Sequence, residues 1–205
     1  MRIGVLASQG AFVEHIAALR QLKVEALPVR LATELNGLDG LIIPGGESTS
    51  ISKLMLSSNL TEEIKSLARN GLPIFGTCAG MILLANKNSD QDVAPLGLMD
   101  IIVRRNAFGR QRESFETELP IPVLGGKPFP AVFIRAPVIG RVNSKVEILA
   151  RLADGTAVAA RQGKLLVSAF HPELTSDLRF HRYFLDIVRG QLKSLRRHLA
   201  EGNHR

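Results

Sequence analysis

The only cysteine of the chain lies between two glycines, where an apolar strand pattern gives way to an apolar helix pattern. The sequence there reads Gly76-Thr77-Cys78-Ala79-Gly80, inside PIFGTCAGMILLA. This spacing is typical of a strand–turn–helix elbow, in which a Cβ atom at either flanking position would clash with neighbouring backbone. The N-terminus of the following helix directs its positive end at the sulfur and favours the thiolate. We therefore predict that Cys78 is a nucleophile rather than a buried structural cysteine.

A histidine and a glutamate follow the last apolar run of the chain. His171 and Glu173 occur in VSAFHPELT, and residues i and i+2 of an extended chain project to the same side. A cysteine nucleophile requires a base, and a carboxylate can hold the imidazole of that base in one tautomer. We predict that His171 is the base and that Glu173 orients it. The other four histidines are predicted to be plain surface residues of helices or of the tail: His15, His181, His198 and His204.

A third motif, LIIPGGESTS, places paired glycines where a strand ends and a helix begins near Ser48. Glycines expose backbone N–H groups without obstruction by side chains. The N–H groups of Gly46 and Ala79 could together form an oxyanion hole. The alternatives are a phosphate-cradling loop, for which the P-loop lysine and a GxGxxG pattern are missing, and a simple turn with a serine cap.

Strand and helix patterns alternate through the first half of the chain. Strands are predicted at 2–7, 24–29, 39–46 and 72–77, and helices at 11–22, 48–58, 60–71 and 79–87. Pro28 favours an edge position for the second strand. Short β-rich runs between residues 98 and 170 predict added, mostly antiparallel strands, and 178–195 reads as a closing helix. We predict an α/β fold with a three-layer, doubly wound, mainly parallel sheet of flavodoxin-like type.

Composition limits the classes of function. The chain has 205 residues, a net charge of +7 and one cysteine. We expect a single domain over 1–205 with a basic C-terminal tail from about 191, in a reducing compartment and without a disulfide. Dispersed basic residues and 5% aromatics argue against a nucleic-acid binder. No signal peptide, membrane-spanning run or metal-ligand spacing is evident, so a cytoplasmic protein is expected.

The motifs PGGEST, FGTCAG and FHPE, in that order, resemble those of class I glutamine amidotransferases with a Cys-His-Glu triad. Further stretches narrow the resemblance: IGVLASQGAFVEHI, RRNAFGRQRESFE, VFIRAPVI and FHPELTSD. With these, the chain is similar over about residues 2–190 to the glutaminase subunits of pyridoxal 5'-phosphate synthases.

The resemblance implies that Cys78 attacks the side-chain amide of L-glutamine and that ammonia passes to a separate synthase subunit. His171, Glu173 and the Gly46 and Ala79 N–H groups would have the roles given above. The family pattern places substrate contacts at Gly46, Glu47, Ser48, Arg105, Ile134 and Arg135. Gln9 matches a family glutamine near the docking face and would couple this subunit to the synthase. No metal or organic cofactor is expected, because pyridoxal phosphate would be the product of the complex.

Two other classes of function remain open. The same elbow could serve a stand-alone cysteine hydrolase or protease of related fold. The chain could also be a catalytically silent regulatory module, although an intact set of Cys78, His171 and Glu173 argues against that.

Overall fold

A ten-stranded sheet flanked by helices organises the protein. The computed structural model describes residues 1–7, 9–89, 92–105 and 114–202, with side chains described as far as residue 194. The stretch 106–113, which belongs to the RRNAFGRQRESFE motif, lies outside the described residues, as do the side chains of His198 and His204. The prediction of one domain over 1–205 stays a prediction.

The strands have the following bounds: β1 Arg2–Leu6, β2 Glu25–Val29, β3 Gly40–Ile43, β4 Ile74–Thr77, β5 Ala85–Asn88, β6 Met99–Arg104, β7 Ser114–Leu119, β8 Phe129–Ile134, β9 Val138–Val142, β10 Glu147–Arg151, β11 Ala157–Gln162 and β12 Leu165–Ser168. The helices are α1 Phe12–Gln21, α2 Ser48–Ser57, α3 Leu60–Arg69, α4 Ala79–Leu84 and α5 Arg179–Gly202. Short 3₁₀ turns lie at Ala32–Leu35, Pro122–Leu124 and Pro172–Leu174.

The sheet order confirms the predicted fold class. The strands follow one another as β2-β1-β3-β4-β12-β11-β9-β6-β5, with β10 paired to β11 and a separate β7–β8 hairpin. The five strands from β2 to β12 are parallel, and antiparallel strands extend the sheet beyond β12. The strand that carries Pro28 lies at the edge, as predicted, because proline cannot donate to a second neighbour.

Helices cover both faces of the parallel part, which gives three layers. Phe75 of β4 packs against Phe180 and Phe184 of α5, with ring centroids 5.4 and 5.7 Å apart. Its neighbour Gly76 faces α4 instead, because successive residues of a strand point to opposite faces. Helix α1 lies on the α5 side, where His15 contacts the Phe75 ring edge-on.

Two helices end three or more residues away from their predicted ends. The helix predicted at 79–87 ends at Leu84, because residues 85–88 form β5 and pair in parallel with β6. The last helix continues to Gly202, beyond the predicted end at 195. Among the described helices, none combines the length and apolarity needed to cross a membrane.

Close packing of glycine backbone fixes the turn between β4 and α4. A Cβ atom on Gly80 would lie 2.0 Å from the carbonyl oxygen of Ile43 in β3, and one on Gly76 would lie 2.6 Å from the backbone of Gly80. Neither neighbour is a flexible side chain, so neither can move away at low cost. The elbow predicted from the two glycines is therefore enforced by backbone contacts.

Replacing Gly80 by alanine should destabilise the protein, because the added methyl group must push α4 away from β3. We expect the free energy of unfolding in urea to fall by about 1–3 kcal/mol, the usual cost of overpacking. The matched control is Gly190→Ala within α5, where an added Cβ meets nothing within 4 Å. That variant should be neutral or more stable by up to about 1 kcal/mol. Equal stability of the two variants would contradict the packing account.

Candidate active site

Three strands of the parallel sheet end beside one another and bring the three sequence motifs together. Cys78 follows β4, and His171 comes shortly after β12, which pairs in parallel with β4 in the register Thr77–Ser168. Gly45 and Gly46 follow β3, the other neighbour of β4. Because parallel strands have their carboxyl ends at the same edge, this edge is where a site forms in such sheets.

The backbone of Cys78 adopts a conformation that is rare for a residue with a side chain. Its φ is 47° and its ψ is −101°. Its N–H donates to Ser168 O at 2.8 Å, and its carbonyl accepts from Met81 N at 3.1 Å and Ile82 N at 3.3 Å. These bonds to β12 and α4 hold the turn in its strained form. Arg135, after β8, also has a positive φ, at 42°. Strained residues of this kind concentrate at functional sites.

His171 and Glu173 lie in contact with each other. His171 Nδ1 is 2.7 Å from Glu173 Oε1. The prediction that these side chains meet is confirmed, but the predicted extended chain is wrong, because Glu173 lies within the 3₁₀ turn Pro172–Leu174. Since Nδ1 is engaged by the carboxylate, Nε2 is the ring nitrogen left to interact with Cys78.

The electrostatics of His171 and Glu173 favour a charged pair. Burial opposes a charge on His171, but its hydrogen bonds to Cys78 and Glu173 outweigh that effect and raise its pKa to about 10. Burial likewise opposes the charge on Glu173, but His15 and the hydrogen bond from His171 hold its pKa below the ordinary value. The geometry therefore suits an imidazolium at His171, between the sulfur and an ionised carboxylate.

The paired glycines lie over this pair of side chains. The N–H of Gly45 donates to Thr77 Oγ1 at 3.0 Å. A Cβ atom on Gly45 would lie 2.3 Å from His171 Cε1 and 3.2 Å from Cys78 Cβ, so only glycine leaves room for the histidine ring. Gly46 and Ala79 both line the cavity that opens above Cys78.

That cavity has a volume of about 380 Å³, which lies within the usual range of about 300–1,000 Å³ for small-molecule sites. Its walls include every residue expected from the sequence except Glu173: Gln9, Gly46, Glu47, Ser48, Cys78, Ala79, Arg105, Ile134, Arg135 and His171. Ile82 and Pro137 also line it and were not expected. The Glu173 side chain is fully buried behind His171.

The charged side chains of the cavity are themselves held in place. Glu47 caps α2 by accepting hydrogen bonds from Thr49 N at 3.1 Å and Ser50 N at 2.7 Å. Hydrogen bonds from Thr49 and Ser50 lower its pKa to about 2. Arg105 Nη2 lies 3.8 Å from Glu47 Oε1. The cavity wall thus includes Glu47, whose carboxylate is held in place, together with Arg105 and Arg135.

The loop that carries Gln9 packs directly on the glycine turn. The N–H of Ala11 donates to Gly45 O at 3.4 Å. A Cβ atom on Gly10 would lie only 1.8 Å from that same oxygen. Gln9 is exposed and lines the mouth of the cavity, so a contact made at this loop reaches the turn without an intermediate element.

Sequence reasoning missed three buried polar residues beneath the site. His15 and His181, predicted as plain surface residues, are completely buried, and so is Thr77. Helical spacing carried the signal: His15 lies three residues after Phe12 and four before Leu19, on the apolar face of α1. His181 lies three residues before Phe184 and four before Leu185, on the apolar face of α5. Within the described ranges, no cluster of three or more His, Cys, Asp or Glu side chains could hold a metal ion.

Comparison with known proteins agrees with this geometry. Residues 5–189 match the model of the SNO glutamine amidotransferase family. A protein from Dehalococcoides mccartyi named pyridoxal 5'-phosphate synthase subunit PdxT is 58% identical over 191 residues, which cover 92% of this chain and 98% of that one. A protein of the same name from Moorella thermoacetica is 58% identical over 92% of this chain and all of its own length.

A crystal structure described as glutamine amidotransferase has a TM-score of 0.86 and 50% sequence identity, over 91% of this chain and 98% of the other. The family match and the similarity to these relatives extend over most of the chain, including the elbow, the glycine turn and the histidine–glutamate pair. This chain belongs to the SNO glutamine amidotransferase family.

Proposed function

We propose that this protein is a glutaminase that hydrolyses L-glutamine to L-glutamate and ammonia, and that it delivers the ammonia to a synthase subunit that makes pyridoxal 5'-phosphate. The observation that carries the proposal is that Cys78 and His171 lie side by side beneath Gly45 in one cavity, with His171 Nδ1 2.7 Å from Glu173 Oε1. A nucleophile, a base and an orienting carboxylate in this order are what acyl transfer from an amide requires.

The reaction proceeds through a thioester. The Cys78 thiolate attacks the side-chain carbonyl carbon of glutamine and forms a tetrahedral oxyanion. When the oxyanion collapses, the C–N bond breaks and the His171 imidazolium gives its proton to the departing ammonia. Neutral His171 then takes a proton from water, whose oxygen attacks the glutamyl thioester. Glutamate leaves as the C–S bond breaks, and the thiolate–imidazolium pair is restored.

The cavity supplies groups for both ends of the substrate. The N–H groups of Gly46 and Ala79 would stabilise the oxyanion, and a donor of this kind contributes roughly 3–4 kcal/mol to the transition state. Arg105 and Arg135 would bind the α-carboxylate, and Glu47 the α-ammonium. Backbone groups of Ser48 and Ile134 would complete the wall around the amino acid.

The names of the relatives support a partner of one kind. Both proteins described above are named as subunits of pyridoxal 5'-phosphate synthase. We infer a hetero-oligomer in which the synthase subunit docks near the cavity mouth. Gln9 is the proposed coupling residue, because its loop packs on Gly45 and docking there would set the orientation of the neighbouring Gly46 N–H. Neither a nucleic acid nor a membrane has a place in this proposal.

Replacement of the nucleophile tests the proposed reaction. Cys78→Ala should abolish release of ammonia and glutamate from L-glutamine, because no thioester can form. Wild-type protein should release both products, and more of them when the synthase subunit from the same organism is added. Release is followed by coupled glutamate dehydrogenase and ammonia assays.

Two results would contradict the proposal. Equal glutamine turnover by wild type and Cys78→Ala would exclude the thioester route. Absence of turnover with and without the synthase, together with Cys78-dependent cleavage of another amide or ester, would establish the stand-alone cysteine hydrolase.

The charge state of His171 can be measured directly. With a pKa raised to about 10, its ring should remain an imidazolium at pH 8, where an ordinary histidine with a pKa of 6.5 is neutral. Nitrogen-15 NMR of the histidine side chains measures this titration. Glu173→Gln should lower the pKa of His171, because the variant loses the carboxylate charge that supports the imidazolium. A midpoint near 6.5 in wild type would contradict the charged arrangement.

Replacement of Arg105 tests the proposed binding of the α-carboxylate. Arg105→Gln should raise the KM for glutamine about 10-fold with kcat nearly unchanged, because it removes binding shared by the ground state and the transition state. Arg104→Gln is the matched control, since this neighbouring arginine is exposed and is not part of the cavity wall. Steady-state glutaminase kinetics separate the two variants. An unchanged KM for Arg105→Gln would remove this residue from the substrate site.

A further inference from the structure

A row of buried polar side chains continues behind Glu173, away from the cavity. His15 Nε2 lies 3.3 Å from Glu173 Oε2, and His15 Nδ1 lies 2.9 Å from His181 Nε2. Both histidines have 0% exposure. The row therefore runs from Cys78 through His171 and Glu173 into the layer formed by α1 and α5.

The same histidine ring also touches the residue that holds the glycine turn. His15 Nε2 lies 3.2 Å from Thr77 Oγ1, which accepts a hydrogen bond from Gly45 N at 3.0 Å. His15 Nε2 thus hydrogen-bonds to Thr77 Oγ1 and lies in polar contact with Glu173 Oε2. In the described part of the chain, no conventional hydrogen bond reaches Glu173 Oε2, so His15 is the polar group that faces this oxygen.

Both inner histidines are neutral. Burial lowers the pKa of His15, and burial together with the nearby His15 lowers the pKa of His181 to about 3. The titratable groups that act on His15 are Glu173, His171, Glu14 and His181. Although the Glu173 charge opposes the shift, the cost of burying a second cation prevails.

The protons of two neutral rings can then be assigned from the network. A bare Nε2 on His15 would set its lone pair against a carboxylate oxygen, so Nε2 carries the hydrogen. Nδ1 of His15 is then an acceptor, and His181 Nε2 must donate to it. His181 Nδ1 is left bare, which agrees with its having no hydrogen-bond partner among the described residues. The role of His181 is to keep His15 in the tautomer whose Nε2–H faces Thr77 and Glu173.

We propose that His15, held by His181, is a positioning residue for the Cys78–His171–Glu173 triad and for the glycine turn. The Nε2–H of His15 contacts two groups: the carboxylate that orients His171, and the Thr77 hydroxyl that accepts a hydrogen bond from Gly45. It contacts no substrate atom. The inference rests on the proposed glutaminase function, and it extends the site from three residues to five.

Matched variants at position 15 separate positioning from packing. His15→Leu removes the donor and puts an apolar side chain of similar size in its place, so the fold should be retained. His15→Gln keeps an N–H donor at the place of Nε2. With the synthase subunit present, His15→Leu should lower kcat for glutamine on the order of 10- to 100-fold with little change in KM. His15→Gln should stay within about 3-fold of wild type.

The second readout does not depend on turnover of glutamine. In free His15→Leu, the pKa of His171 measured by NMR should fall toward 6.5, because a Glu173 carboxylate that is no longer held beside Nδ1 supports the imidazolium less. In His15→Gln it should stay near the wild-type value.

The outcomes distinguish this inference from the function on which it rests. If wild type hydrolyses no glutamine, the proposed function fails, while the NMR titration still decides whether His15 acts on His171. Wild-type kcat and an unshifted His171 pKa in His15→Leu overturn the positioning role. Equal losses in His15→Leu and His15→Gln, with the His171 pKa unchanged, show a packing role only and also overturn it.

Variants at position 181 give an independent version of the test if His15→Leu does not fold. His181→Leu frees His15 to adopt the other tautomer and should lower kcat, whereas His181→Gln keeps a donor to His15 Nδ1 and should restore it. Urea unfolding of each variant shows whether a loss of activity follows a loss of stability.

Discussion

A carboxylate with no exposed side-chain surface is the constraint on which this site depends. Glu173 must remain ionised to orient a charged imidazole, yet burial raises its pKa and opposes that charge. Compensation has to come from groups carried by other elements. His171 meets one oxygen from the end of β12, and His15 on α1 faces the other. The packing of α1 and α5 on the sheet therefore also maintains the charge of the site.

The elbow imposes the complementary constraint from the opposite face of the sheet. Cys78 is held at a positive φ by hydrogen bonds to β12 and α4, and α4 can approach β3 only because Gly80 has no side chain. Backbone contacts thus set the position of the sulfur, whereas side-chain hydrogen bonds set the position of the histidine. The two sets of contacts meet at Thr77, whose backbone belongs to β4 and whose hydroxyl accepts from Gly45 and lies beside His15.

The parts of the structure that sequence could predict are those with short-range signals. The glycines around Cys78, the strand–helix alternation and the edge position of the Pro28 strand follow from local spacing. The end of α4 could not be predicted from local spacing. Residues 85–88 form a strand because they pair with β6, and that contact is not local. The turn that joins His171 to Glu173 was likewise set by packing against β8, where His171 N donates to Val132 O at 2.8 Å. For His15 and His181 the helical spacing was available, but a polar residue type outweighed it. A histidine on an apolar face requires a partner, and that partner lies far away in sequence.

The separation of His15 and His181 has a consequence for the synthesis of the chain. The hydrogen bond between these two rings joins positions 166 residues apart, from the first helix to the last. A nascent chain that has emerged from the ribosome as far as β12 already contains the thiol, but α5 has not yet docked. The row of polar groups behind Glu173 is completed only when the C-terminal helix packs onto the sheet. Under the proposed roles, full reactivity follows the docking of α5, and a chain that stops before α5 would lack this support.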